Sequence, residues 1–369
     1  MKVFILTTVM APYRIKVFEL LGKGCELTVG FEVLHDMERN EEWYVKQSEN
    51  FKLVGLKNWE KGTKSFHWEA VKIIKRDRPD LIVLYEYSTR TSVVVANIAD
   101  RLKIPYMINC DGAFIGKETF RDRIKRRMIH HASGLLAGGK SAEEYFIHYG
   151  GGKEKIYNHH FSSLCTADIL GEAVSEEKKC FLRKKLGVRN IGTILTVGSF
   201  IPRKGIKELL EIWKIFDESY QFLIIGSGKE QDCYFNIIKD MKLENVKIFP
   251  FMQYEELRSF YMASDLFVLN TKEDIWGLVV NEAMACGLPV LTTDRCNAGK
   301  ELIKEGKNGY LVKAGDNGAL TQKITSHFRN ADCSQMANEC LYTIKDYTVE
   351  NIADNHLEAF EKTVLAYRG

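Results

Sequence analysis

Along most of the chain, short β-branched apolar runs alternate with longer stretches whose apolar positions return every three or four residues. Val3–Thr7, Leu27–Val33, Leu81–Tyr85, Tyr106–Asn109 and Gly134–Ala137 read as strands of one parallel sheet. Helices are predicted between them over Ile15–Gly22, Trp68–Arg76, Thr91–Arg101, Phe120–His131 and Ser141–Tyr149. A second series of strands follows at Ile194–Val197, Phe222–Ile225, Val246–Phe249, Leu266–Leu269, Val290–Thr292 and Gly309–Val312. Its helices are predicted over Gly205–Phe216, Gln231–Met241, Tyr254–Ala263, Val279–Cys286 and Gly318–Phe328. Strand–helix alternation of this kind implies α/β domains with helices on both faces of a parallel sheet, and ligands at the carboxyl ends of the strands.

A length of 369 residues exceeds what one core usually serves, so two Rossmann-like domains are expected, facing across a cleft. The boundary falls in Phe161–Val188, after the Gly150–Gly152 turn and around the charged run Glu176–Lys179. This gives a first domain over 1–165, a second over 166–348, and a last helix, about Val349–Tyr367, returning to the first. Nine scattered cysteines with no Cys-x-x-Cys pair point to a reduced, cytoplasmic protein without a zinc site. A net charge of +3 is too small to argue for nucleic acid. No stretch approaches the roughly 18 apolar residues of a membrane span, so the expected location is in solution or on a membrane surface.

The most informative window is Asp265–Asp294. Gly277 allows a tight entry into the predicted helix, Gly287 ends it, and Pro289 prevents its continuation. The backbone N–H groups of Gly277, Leu278 and Val279 would be open donors at a helix start, suited to a phosphate. Asp274 stands at the loop mouth and Glu282 one turn inside the helix, among Val280, Ala283 and Met284. A carboxylate in such surroundings needs a partner, which could be a local side chain or the diol of a sugar or ribose. Upstream, Gly198-Ser199 follows a strand and Arg203-Lys204-Gly205 opens a helix, a pattern that suits either a diphosphate or a basic surface.

Together these segments resemble the donor site of retaining glycosyltransferases of family 4, which have the GT-B fold. The pattern there is two acids with seven residues between them, and an aromatic-Gly pair after the first. Here it reads Asp274-Ile275-Trp276-Gly277-Leu278-Val279-Val280-Asn281-Glu282, followed by Ala283-Met284-Ala285-Cys286-Gly287-Leu288-Pro289-Val290. The resemblance is strong over Gly198–Asp294 and looser before it. It implies transfer of a hexosyl unit from a nucleotide diphosphate sugar, UDP- or GDP-linked, to a hydroxyl of a glycan or lipid-linked saccharide. In that reading Glu282 holds ribose hydroxyls, Asp274 the sugar, and Lys204 the diphosphate. Gly226 belongs to a Gly-x-Gly loop, Phe251 and Met252 lie against the base, and Trp276 is the aromatic beside the donor. Two departures matter: the first acid is usually Glu, and Glu273 is adjacent to Asp274. The Arg usually found directly after the first Gly is replaced by Ser199, so Arg203 is expected to supply the second cation.

In the first domain, Pro12-Tyr13-Arg14 stands where the family often has a glycine-rich loop near the sugar. Asp111 stands where many relatives have a histidine, and reads as an active-site residue or a turn acid. His159-His160 could edge the cleft or lie half exposed. No Asp-x-Asp motif occurs, so no metal or other cofactor is implied. The run Arg121–Arg127, followed by His130-His131, forms a basic helix face for an anionic bilayer, or simply a solvated one. Three rival readings share the architecture: a nucleotide-sugar epimerase, an NAD oxidoreductase, and a non-catalytic subunit of a glycan-assembly complex. The second would need a Gly-x-Gly-x-x-Gly loop after the first strand, which Thr7–Arg14 is not.

Overall fold

The apolar runs become the inner strands of two parallel sheets, because strands covered on both faces must be apolar nearly throughout. The computed structural model describes residues 1–33, 47–56, 66–117, 119 and 122–369. It divides into one unit of Met1–Ser163 with Tyr347–Gly369 and a second of Leu164–Asp346.

The first unit holds β1 (Lys2–Val9), β2 (Glu26–Val33), β3 (Lys52–Gly55), β4 (Leu81–Leu84), β5 (Tyr106–Cys110), β6 (Gly134–Ala137) and β7 (Ile156–Asn158). Their order across the sheet is β3-β2-β1-β4-β5-β6-β7, all parallel. The second unit holds β8 (Gly192–Val197), β9 (Tyr220–Ile225), β10 (Val246–Phe249), β11 (Leu266–Leu269), β12 (Val290–Thr293) and β13 (Gly309–Val312), in the order β10-β9-β8-β11-β12-β13. Each sheet reverses its winding once, between β1 and β4 and between β8 and β11. Such a reversal leaves a crevice at the carboxyl ends of the two strands, where ligands bind.

Two strands and three α-helices fall outside the sequence reading. β3 and β7 are edge strands of four and three residues. Helix Glu176–Lys185 falls in the charged stretch read as a linker. It docks partly by charge: Lys179 and Arg183, one turn apart, both reach Asp265, at 3.0 and 2.7 Å. Helices Asn297–Leu302 and Cys333–Ile344 also went unpredicted. The last helix, Val349–Arg368, packs on helix Pro12–Gly24 of the first unit.

The helix expected over Gly205–Phe216 is split. A short turn, Pro202–Lys204, precedes helix Ile206–Trp213, and Gly205 joins them with φ 68°. A side chain at Gly205 would be strained in this left-handed conformation and would place its Cβ 1.9 Å from the Asn270 carbonyl oxygen. Gly205 therefore lets the turn carrying Lys204 lie directly on the loop after β11.

Candidate active site

In the second unit the loops leaving β8, β9 and β10 meet the start of helix Leu278–Ala285. They enclose a cavity of about 300 Å³ lined by Gly198, Ser199, Gly226, Ser227, Phe251–Tyr254, Leu257, Val279 and Glu282. Seven residues singled out in the sequence are thus brought together: Gly198, Ser199, Gly226, Phe251, Met252, Val279 and Glu282.

Beside this cavity, where β8 and β11 part, Lys204 Nζ donates to Asp274 Oδ2 at 2.5 Å, each side chain about one-eighth exposed (12% and 13%). A methyl group on Gly198 would stand 3.8 Å from Lys204 Cδ and Cε, so the lysine stem runs along the cavity rim. The adjacent acid behaves differently. Glu273 pairs with Arg295 at 3.0 Å and is more than half exposed, so Asp274 is the acid turned into the site. Arg203 also departs from expectation. Its exposed guanidinium donates to the Glu273 carbonyl at 2.7 Å, and its own carbonyl accepts from Lys272 N and Thr271 Oγ1. Arg203 thereby laces the Lys204 turn to the Asp274 loop, and its charge is not held beside that of Lys204.

The start of helix Leu278–Ala285 follows Gly277, whose φ of 102° favours glycine and whose Cβ would fall 2.7 Å from Cys296 Sγ. The first backbone bond of this turn is Val280 N–H to the Gly277 carbonyl. The amides of Gly277, Leu278 and Val279 lie ahead of it, at the positive end of the helix. Trp276 needs correction as a ligand contact. It is only 4% exposed, and its indole N–H donates to Asn281 Oδ1 at 2.9 Å, so it anchors the loop from inside. Ile275 is the exposed neighbour.

Glu282 accepts a hydrogen bond from Tyr261 Oη at 2.9 Å. Burial pushes its carboxyl up to about 7; the Tyr261 bond draws it back, and Asp168 adds a further upward push. Tyr261, Tyr254, Ser227 and Gln253 were missed in the sequence. The tyrosines sit seven residues apart on helix Tyr254–Ala263, one helical face, where they read as ordinary core positions.

Residues 179–342 match the family described as glycosyl transferases group 1. Over that segment, 44% of the chain, the sequence is similar to members of that family. A glycosyltransferase of Haemophilus influenzae described as uncharacterized is 28% identical over 178 residues, 47% of this chain and 50% of the relative. The lipopolysaccharide core biosynthesis glycosyltransferase LpsE of Rhizobium meliloti is 27% identical over 169 residues, 45% of this chain and 48% of LpsE. The chain thus spans about half the length of these curated relatives. Among solved structures, Anabaena HepE in complex with UDP superposes with a TM-score of 0.78, covering 98% of this chain and 100% of that one at 19% identity. The two parallel-sheet units therefore have the fold of that protein.

Outside the group 1 segment, the first unit has its own polar cluster where β1 and β4 part. Arg14 donates to Glu86 Oε1 at 2.6 Å, to Asp111 Oδ2 at 3.0 Å and to Thr7 Oγ1 at 2.9 Å. Asn109 holds the other Asp111 oxygen at 2.7 Å. Pro12 and Tyr13 open helix Pro12–Gly24, and the Tyr13 ring meets Phe161 edge-on at 5.4 Å. The sequence singled out Arg14 and Asp111 but not Glu86, the acid that completes the clamp. His159 is not half exposed: it is 1% exposed, stacks near His356 at 4.7 Å, and burial lowers it to about 4.

The basic helix is Asp122–His131; Phe120 and Arg121 lie outside the described residues. Lys125 turns onto the Tyr149 ring at 4.2 Å and pairs with Asp122, while Arg126 donates to the His148 carbonyl. Its exposed face is therefore Arg123, Ile124, Arg127, His130 and His131. No helix among the described residues is long and apolar enough to cross a membrane.

Proposed function

We propose that this chain transfers a hexosyl unit from a UDP- or GDP-linked sugar to an acceptor hydroxyl, with retention, in the assembly of a polysaccharide or lipopolysaccharide. The observation that carries this reading is the strand-end cavity with Glu282 at one side and the Lys204–Asp274 pair at its rim. Nucleoside and diphosphate fit these two ends respectively. The family match, a relative named for lipopolysaccharide core biosynthesis, and a neighbour solved with UDP support it.

In this reading Glu282 takes the ribose hydroxyls, and the loops at Gly226 and Phe251–Met252 take the base. Lys204 and the Gly277–Val279 amides face the diphosphate, stabilising the charge that develops as the bond from the anomeric carbon to the phosphate oxygen breaks. The acceptor oxygen bonds that carbon from the same face and passes its proton to the departing phosphate oxygen. Asp274, held by Lys204, is placed to accept hydroxyls of the sugar. Arg14, Glu86 and Asp111, the polar cluster of the first unit, take the acceptor in this reading. Arg203 acts by holding the Asp274 loop.

The leaving-group charge is met here by a cation and a helix start, so no metal is required. A screen of nucleotide sugars by thermal shift should find one that raises Tm by several degrees, equally with and without EDTA. If stabilisation and transfer both vanish with chelator and return with magnesium or manganese, the leaving-group assignment is wrong.

The same reading places the exposed face of helix Asp122–His131 against an anionic bilayer that carries the acceptor. Arg123 and Arg127 are one turn apart, with Ile124 between them 46% exposed. Each cation near such a surface contributes about 1 kcal/mol. Arg123→Glu with Arg127→Glu should abolish sedimentation with anionic vesicles and leave donor binding unchanged. Equal sedimentation of the two proteins would return the helix to solvent.

A further inference from the structure

The side chains around Glu282 come from three elements. Tyr254 and Tyr261 face it from helix Tyr254–Ala263, Cys286 from the end of its own helix, and Asp168 from the turn Thr166–Asp168. Among the described residues, no Lys, Arg or His nitrogen lies within ion-pairing distance of its carboxyl. Tyr261 Oη on Oε2 is its hydrogen bond, and Oε1 has none. Arg258, the cation of the group, lies against Cys286 and Tyr254 instead, with its Nε unpartnered. Asp168 accepts from Cys165 N at 2.7 Å and contributes only repulsion. A partly buried carboxyl at the wall of the cavity, with one neutral donor and an acid as neighbours and no cation on it, holds its proton above the usual carboxylate range.

We infer that binding of the nucleotide sugar expels a proton from Glu282, and that Tyr261 is the positioning residue that holds this carboxyl for the exchange. The inference rests on the donor-site reading above. A ribose diol brings two O–H donors, which satisfy a carboxylate but compete with a bound proton. The balance is protonated Glu282 plus donor giving the carboxylate–donor complex and one proton released to solvent. Tyr261 does not supply that proton. Burial first, and Glu282 second, hold its hydroxyl well above the ordinary value, so it remains a donor before and after. Its place on Oε2 leaves Oε1 as the oxygen for the ligand.

The test is calorimetric titration with UDP-glucose and with GDP-mannose, whose diphosphates are diesters with no proton of their own to exchange near neutrality. Run at pH 6.5 in MES and in imidazole, the apparent enthalpy should differ between buffers and give more than half a proton released. The difference should vanish at pH 9. Below pH 6 the Kd should rise roughly tenfold per pH unit. Glu282→Gln should show no proton release. Tyr261→Phe should bind within a few-fold of wild type at pH 9, with its pH midpoint moved upward, since the lost hydrogen bond favoured the ionised form. Tight binding with a buffer-independent enthalpy at pH 6.5 overturns the inference. So does a Tyr261→Phe profile that superposes on wild type. If neither nucleotide sugar binds at any pH, the donor reading itself fails and takes the inference with it.

Discussion

Lys204→Ala is expected to lower kcat by two to three orders of magnitude while leaving a folded protein. Lys204 is the cation held at the rim of the strand-end cavity, where a fixed charge opposite a leaving diphosphate is usually the largest catalytic contribution. Removing it also strands Asp274, whose side chain is only 13% exposed, and an uncompensated acid there destabilises the second unit. The double variant Lys204→Ala with Asp274→Asn separates the two effects, because it should regain the stability and none of the turnover. Arg203→Ala is expected to cost much less, about tenfold, because its guanidinium is spent on the Glu273 carbonyl and acts on the loop alone. Single-turnover rates for the three proteins, measured with saturating donor, decide the matter. A loss for Arg203→Ala equal to that for Lys204→Ala would mean that the loop rearranges and brings the guanidinium to the phosphates.

Glu282→Gln should make the protein more stable above neutrality while weakening the donor Kd tenfold or more. The sign follows from the direction of the shift. Glu282 sits at about 7 in the folded chain against a usual 4.5, so the folded state keeps its proton longer than the unfolded state does. That proton favours folding at low pH, and the advantage is lost as pH rises from the unfolded value through 7. Above pH 7 the ionised group weighs against the fold by about 3 kcal/mol, which glutamine avoids while still accepting from Tyr261. The melting temperature of the variant should exceed wild type by roughly 5–10 °C at pH 8 and match it at pH 4. A charged hydrogen bond to the ribose contributes about 1.5–3 kcal/mol, which sets the loss of affinity. If wild type and variant melt together at pH 8, the carboxyl is not held in the environment described.

Eleven of the thirteen described strands were legible because each is a short apolar run, and the two acids because their spacing is fixed by the loop and one helical turn. Contacts built from distant residues were not legible. Glu86 reaches Arg14 across 72 positions, and nothing in the local sequence of Tyr85-Glu86-Tyr87 marks it. Tyr261 looks like core and is core; its hydroxyl matters only because Glu282 lies opposite. Trp276 erred the other way: an aromatic beside a glycine at a loop mouth suggests a ligand, but Asn281, five residues on, turns the ring inward. Arg203 points away from Lys204 because successive residues of a 3-10 turn project about 120° apart, which adjacency in sequence does not show.

The return of the chain to its first unit has a consequence for how the protein is made. Helix Val349–Arg368 covers helix Pro12–Gly24, and Val349, Ile352, Ala353, Ala359 and Phe360 are buried in that contact layer and its surroundings. During synthesis, every residue of the second unit leaves the ribosome before this helix does. A nascent chain arrested after Asp346 therefore holds all of the second unit but a first unit with an apolar flank uncovered. Such flanks are where incomplete domains attract chaperones or one another. The first unit thus waits for helix Val349–Arg368 to complete its packing.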